Sequence, residues 1–257
     1  MTEQQVILSI QELSKSFGGL RAVDLVTLDI QEKEIFGLIG PNGAGKTTVF
    51  NLLTGIYTPT SGIIRFKEEE LNGRKPYEIT QKGMARTFQN IRLFGSMTVT
   101  DNVSIAQHCR TRAEVIGSIL KPQWVKNEEM RIKVRSHELL SFVGLYEKRE
   151  ELARNLPYGE QRRLEIARAL ATEPSLVLLD EPAAGMNPLE TLTLMSLISK
   201  IRDSGLTVLL IEHDMKVVMG ISDRIAVLDY GKKIAEDVPE AIRSNEKVIE
   251  AYLGKGA

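Results

Sequence analysis

Ile35-Phe-Gly-Leu-Ile39-Gly40-Pro41-Asn42-Gly43-Ala44-Gly45-Lys46-Thr47-Thr48 is the stretch that decides the fold. Its short apolar run, bounded by turn residues, predicts a strand over Ile35–Ile39. The segment from Thr47 to Thr54, closed by Gly55, predicts a helix. A strand passing through a glycine-rich turn into a helix is the setting in which backbone amides and a helix N-terminus bind phosphate. Gly40, Gly43 and Gly45 allow the main chain to approach phosphate oxygens, with Pro41, Asn42 and Ala44 completing the loop. Lys46 is expected to reach the β- and γ-phosphates, Thr47 to ligate Mg²⁺, and Thr48 to belong to the same nucleotide site. A plain glycine turn is the competing reading. The spacing of glycines, lysine and threonine, with strand before and helix after, argues against it.

Outward from this loop, short runs rich in β-branched residues recur at Val6–Ile10, Ala22–Ile30, Ile63–Phe66, Leu176–Leu179, Thr207–Ile211 and Ile225–Leu228. Helical segments with usable caps lie between several of them. Asn187-Pro188-Leu189-Glu190 offers an N-cap acceptor, a proline at the first helical position and a carboxylate beyond, and Thr98 to Asp101 resembles a capping box. Alternating strands and helices predict an α/β fold around a mainly parallel sheet. From about Gln89 to Ala153 strand-like runs are scarce and helical patterns cover Val99–Gln107 and Glu128–Val143, so 89–153 is expected to be an inserted helical subdomain within one domain spanning 1–257. Thr111 to Lys126 is poorly periodic and holds the only tryptophan, Trp124.

Composition removes several function classes. Lys and Arg number 33 against 34 Asp and Glu, so no large positive field exists to attract nucleic acid. The single cysteine, Cys109, allows neither an internal disulfide nor a thiolate metal cluster. The start of the chain lacks the pattern of a signal peptide, and no run of eighteen apolar residues occurs. Any membrane association is therefore expected to come through a partner.

Downstream, Leu176 to Leu179 delivers Asp180 and Glu181 to the end of an apolar strand. Asp180 is expected in the Mg²⁺ shell, and Glu181 as acceptor of a proton from attacking water. Thr207–Ile211 repeats the arrangement and delivers Glu212-His213 to the edge where open α/β sheets place ligands. His213 is suited to bond the γ-phosphate and the water. Gln89, where core gives way to insertion, offers an amide as a removable Mg²⁺ or water ligand. Phe17 either stacks on adenine or packs in the core.

The order of these elements resembles the ATP-binding cassette family over nearly the whole chain, on Gly40–Thr47, Gln89, Asn155-Leu-Pro-Tyr-Gly159-Glu-Gln-Arg162, Asp180-Glu181, Ala184–Asn187 and His213. The resemblance implies a phosphate-loop NTPase core with an N-terminal antiparallel β subdomain. It also implies ATP hydrolysis with Mg²⁺ by a head-to-tail pair of cassettes, with the signature segment Leu156, Pro157, Tyr158, Gly159 and Glu160 closing on the partner's ATP. This signature departs from the widespread Leu-Ser-Gly-Gly-Gln, so the serine hydroxyl and the first glycine are missing. Asn187 stands where an aspartate is usual.

Further motifs, among them Arg86-Thr-Phe-Gln-Asn-Ile-Arg-Leu-Phe94, Tyr158–Arg168, Ile211–Lys216 and Val248–Gly254, are similar to the larger of the two ATPase subunits of bacterial branched-chain amino-acid importers. That resemblance implies a second, different cassette, two membrane permeases, an extracytoplasmic binding protein reached indirectly, and a peripheral place on the cytoplasmic face of the cell membrane. Importers of urea, amides or other amino acids, and a non-transport cassette, are the alternatives. Ile91, Leu93 and Phe94 read as exposed apolar residues suited to seat a permease helix.

Overall fold

Period-two alternation inside three wholly buried strands organises the computed structural model, which describes residues 5–110 and 123–253. These strands are β3 (Ile35–Ile39), β7 (Leu176–Asp180) and β8 (Thr207–Ile211). Phe36, Leu38, Leu176, Leu178, Leu209 and Ile211 point to one core, whereas Ile35, Val177, Leu179, Val208 and Leu210 point to another. Two apolar faces require two covering layers.

The first cover is an antiparallel sheet in the order β2-β1-β4-β5, from β1 (Val6–Phe17), β2 (Leu20–Gln31), β4 (Ser61–Phe66) and β5 (Glu69–Glu70). It traps α1 (Lys46–Leu53), whose Val49, Phe50, Leu52 and Leu53 fill the gap. This sheet is the expected N-terminal antiparallel subdomain. Helix α2 (Pro76–Lys82) adds Ile79 to the first core, and the second cover is made by α3 (Val99–Gln107), α4 (Gln123–Phe142), α5 (Tyr158–Leu170) and α6 (Pro188–Asp203). A smaller cluster joins Ile39 to α7 (Met215–Ile221), α8 (Pro239–Arg243) and α9 (Glu246–Leu253).

The central sheet runs β10-β9-β3-β8-β7-β6, with β6 (Met84–Arg86) and β9 (Arg224–Asp229) parallel to their neighbours and β10 (Lys232–Asp237) antiparallel. Sequence patterning misses both edges. Three residues are too few for a periodic signal at β6, and Lys-Lys-Ile-Ala-Glu-Asp at β10 has the charged composition that protects an exposed edge. Between β6 and α5 the described residues form no strand beyond an isolated bridge of Thr98 to Leu152. Helix α4 includes residues ahead of the expected Glu128, and most of the Thr111–Lys126 segment, with the Trp124 side chain, lies outside what is described.

The caps form as read. Asn187 accepts from the amides of Leu189 and Glu190 at 3.0 Å, and Thr98 accepts from Asp101 at 3.0 Å. Because Leu210 is fully buried among the helices, Leu210→Ala is expected to cost about 2–5 kcal/mol in chemical denaturation. Nucleotide affinity should persist, since the side chain faces away from the phosphate loop.

Candidate nucleotide site

Parallel strands β3, β7 and β8 all end at one edge, so the loop 40–45, the pair Asp180-Glu181 and the pair Glu212-His213 emerge together. Gly45 has φ +103°, and a Cβ there would lie 2.5 Å from the Ala22 carbonyl oxygen. Only glycine permits this contact, which holds the phosphate loop against the start of β2 and, through Gly231, the β9–β10 turn. Helix α1 begins at Lys46, one residue ahead of the expectation.

The buried Lys46 ammonium curls over its own loop, donating to the carbonyls of Gly40 (2.6 Å) and Pro41 (3.0 Å). Burial pushes its pKa down, and the nearby Glu181 and Asp180 carboxylates oppose that shift. Thr47 is exposed on the first turn and Thr48 half-buried beside it. The oxygens of Thr47, Asp180 and Gln89, the residues expected to hold Mg²⁺, are of the hard type that ion prefers.

Asp180 has a partner that sequence reasoning missed. Arg86, at the end of β6, donates to its Oδ2 at 2.8 Å, and both side chains are sealed from solvent. The same guanidinium donates to Asn51 Oδ1 (2.7 Å) and Thr54 Oγ1 (3.1 Å) of α1 and its cap, and lies over the rings of Phe50 and Phe88. An arginine following buried Met84 and Ala85 was the available signal.

Glu181 departs from the strand in left-handed backbone, φ +46°, while its amide still donates to the Ile211 carbonyl at 2.9 Å. Such a conformation costs an L-residue about 1–2 kcal/mol. Gln89 Nε2 donates to Glu181 Oε2 at 2.9 Å, and His213 Nδ1 lies 3.7 Å from the same oxygen. Three residues separated by 92 and 32 positions, from the segments that follow β6, β7 and β8, thus meet at one carboxylate. The His213 side chain is 59% exposed, as a group facing a ligand must be. Beneath it, fully buried Glu212 accepts from the amides of Ala183 (2.7 Å) and His213 (3.2 Å), and burial pushes its carboxyl pKa up. Sequence reading treated Glu212 only as His213's neighbour.

Phe17 ends β1 with 42% of its surface exposed, so it is not a core residue. Its ring meets Tyr57 edge to face at 5.2 Å and carries the Lys15 ammonium 5.1 Å from its centroid. At the other end of the loop, the exposed Tyr252 of α9 has its hydroxyl against the Gly40 amide, a contact not anticipated.

In the signature segment, Leu156 is buried, Pro157 is the N-cap of α5 and Tyr158 its first residue. The Tyr158 hydroxyl accepts from Arg162 at 3.2 Å within its own chain. A Cβ on Gly159 would fall 2.7 Å from Glu190 Oε1, which explains the surviving glycine. Glu160 is paired with Lys148 at 2.7 Å. Leu93 corrects an expectation: it packs on the helical core, leaving Phe94 as the exposed large apolar residue of its loop.

Lys46→Ala is expected to abolish ATP binding in calorimetry. Glu181→Gln should retain ATP and lose turnover by about 10² or more, the scale of a lost general base. Equal losses of affinity would refute that division of roles. Phe17→Ala should weaken ATP binding by about 1–3 kcal/mol while Phe17→Tyr is near neutral. Arg86→Met, which strands a buried carboxylate, should lower stability by about 3–5 kcal/mol.

Comparison with known proteins agrees with this geometry. Residues 23–184 match the family described as ABC transporter, and 232–257 match the branched-chain amino acid ATP-binding cassette transporter family. The high-affinity branched-chain amino acid transport ATP-binding protein LivG of Salmonella typhimurium is 49% identical over 252 residues, covering 98% of this chain and 99% of LivG. The ADP conformation of MJ1267, an ATP-binding cassette of an ABC transporter, superposes with a TM-score of 0.85 at 30% identity, covering 98% of this chain and all of that one. A dimeric post-hydrolysis structure of the cassette MJ0796, bound to ADP and Pi, superposes with a TM-score of 0.75 at 25% identity over 90% of this chain and 98% of that one. The phosphate loop, the carboxylates behind it and a match along almost the whole sequence place this protein in the ABC transporter family, as an ATP-hydrolysing cassette.

Proposed function

We propose that the chain powers an importer of branched-chain amino acids, paired head to tail with a second, different cassette and seated on two membrane permeases fed by an external binding protein. Near-complete coverage of LivG at 49% identity supports the substrate class. No helix among the described residues is long and apolar enough to cross a membrane, so attachment falls to the permeases on the cytoplasmic face. The whole chain acts as one domain, with 89–153 as its helical insertion.

The observation that carries the mechanism is the meeting of Gln89, His213 and Glu181 at one carboxylate oxygen beside Lys46. Lys46 exchanges its two loop carbonyls for β- and γ-phosphate oxygens. Amides of residues 42–48 surround the phosphates, with Gly40 and Pro41 shaping the loop, and Phe17 stacks on the base. Glu181 takes a proton from the attacking water, which Gln89 and His213 orient. Thr47, Asp180 and Gln89 would hold Mg²⁺, which would supply neutralisation of phosphate charge when bound. Leu156 to Glu160 faces the partner's nucleotide, Tyr158 and Gly159 offering helix N-terminal amides.

A cleft of about 170 Å³ lies between α2, α3 and α5, bordered by Arg86, Phe88, Arg92, Glu165 and Arg168. Phe94 stands near it, 43% exposed and stacked with Arg168 at 4.9 Å. In this reading the Gln89–Met97 loop seats a short permease helix, which joins ATP chemistry to transport.

In membrane vesicles holding the assembled importer, uptake of labelled leucine, isoleucine and valine is expected, and Lys46→Ala should abolish it. Uptake of urea or amides instead would replace the substrate assignment. A cysteine at position 94, with Cys109→Ser, should crosslink to a permease in at least one nucleotide state, and failure in every state would refute that contact. A lost hydroxyl contact to charged phosphate is worth about 1.5–3 kcal/mol, so Pro157→Ser should tighten ATP binding at the partner's site alone. Site-resolved nucleotide trapping reads this, and equal sites unaltered by Pro157→Ser would show that backbone amides suffice.

A further inference from the structure

The side chain of Arg162 is 2% exposed on α5, and none of its contacts is to solvent chemistry. Nη1 donates to the Phe88 carbonyl at 2.6 Å and to Glu165 Oε2 at 3.0 Å. Nη2 donates to the Gln89 carbonyl and, at 3.2 Å, to the Tyr158 hydroxyl. The guanidinium also lies 5.6 Å from the centroid of the Tyr158 ring. Glu165, itself buried, turns back to accept from the Phe88 amide at 3.4 Å. Phe88 is therefore held at both its N–H and its carbonyl by one ion pair.

The same cluster touches a third segment. A Cβ on Gly185 would meet Tyr158 Cε1 at 3.4 Å, so the tyrosine ring rests against the 184–187 turn that follows Glu181. Gly159 faces Glu190, whose carboxylate accepts from the Asn187 amide at 3.0 Å. The Gln89 turn, the signature segment and the turn after Glu181 thus converge on Arg162. Burying an arginine and a glutamate requires several kcal/mol of compensation from good geometry. A helix that needed only to pack would use apolar residues at these positions.

Resting on the proposal above that Gln89 serves this chain's nucleotide and residues 156–160 the partner's, we infer that Arg162 is a positioning residue that makes the two segments move as one. A shift of Gln89 that follows loss of its bond to Glu181 draws on the Phe88 and Gln89 carbonyls, and the fork of Arg162 passes that displacement to Tyr158. Planar, bidentate geometry suits this task, because one guanidinium spans several acceptors at fixed angles. Lysine concentrates its three N–H donors on one compact nitrogen and lacks the planar spread by which Nη1 reaches Phe88 and Glu165 while Nη2 reaches Gln89 and Tyr158.

Hydrogen exchange with mass spectrometry on the full chain, with and without a non-hydrolysable ATP analogue and Mg²⁺, reads segments 88–92 and 156–162 separately. In the parent both segments should respond to the analogue. Arg162→Met should bind the analogue with unchanged affinity, because Lys46 and Phe17 are untouched. Its basal exchange at 88–92 should rise about tenfold or more, as a charge-assisted bond is lost. The decisive expectation is that 88–92 still responds to the analogue while 156–162 no longer does. Arg162→Lys, which keeps the charge opposite Glu165, should restore the basal exchange more than the linked response.

An Arg162→Met chain whose two segments respond as in the parent overturns the inference, since α5 then carries the signature without this bond. Should that variant fail to fold, Tyr158→Phe removes one oxygen only. It should weaken the response at 156–162 and spare 88–92, and an unchanged response at 156–162 overturns the link. A parent in which neither segment responds overturns the functional assignment of both segments, a result distinct from uncoupling in the variants.

Discussion

Strands β3, β7 and β8 are buried along their whole length, and this burial dictates where chemistry can occur. Polar side chains inside such strands would face two apolar cores with no partners. They can be carried only at the ends, and parallel pairing brings all the carboxyl ends to one edge. The phosphate loop, Asp180-Glu181 and Glu212-His213 are neighbours for that reason, though far apart in sequence. Left-handed backbone at Glu181 is the local adjustment that turns its carboxylate out of the sheet and into this edge.

Charges that do enter the interior are paired. Asp180 is held by Arg86, Glu165 by Arg162 and Glu212 by two main-chain amides. Each pairing also joins two segments: β6 to β7 and α1, the Gln89 turn to α5, and the Ala183 turn to His213. A buried pair adds little net stability, because desolvation offsets most of the attraction. Its consequence is geometric, since breaking either partner leaves an uncompensated charge and so forbids independent movement of the segments.

The helical part of the molecule reaches the nucleotide edge through a very short path of main chain. Thr87 is tied to β7, its amide donating to Leu178 at 2.9 Å, while two residues later Gln89 bonds Glu181 and its carbonyl is taken by Arg162. The sheet, the Glu181 carboxylate and α5 therefore meet within residues 87–89. Phe94, five residues further, already faces solvent beside Arg168. The Glu181 edge and the exposed Phe94 are thus separated by a single turn of chain.

The sequence alone determined the α/β class, most strands, the caps at Thr98 and Asn187, and the phosphate loop. Each rests on a local rule: hydrophobic period, capping chemistry, or glycine and lysine at fixed spacing. It also placed Asp180, Glu181 and His213 at strand ends, because an apolar run that stops at an acid can be read without coordinates. Tertiary structure decided what each polar group touches. Arg86 on Asp180 and Arg162 on the Gln89 turn join residues 94 and 73 positions apart, and no local pattern reports such distances. Phe17, left open between stacking and core, lies outside the core and Leu93 within it, because exposure of a single apolar side chain depends on the neighbours the fold supplies, here Tyr57 beside the first and the helical core beneath the second. The edges β6 and β10 escaped for the complementary reason that an edge strand must be short or charged to remain unpaired, and such strands carry no hydrophobic period to read.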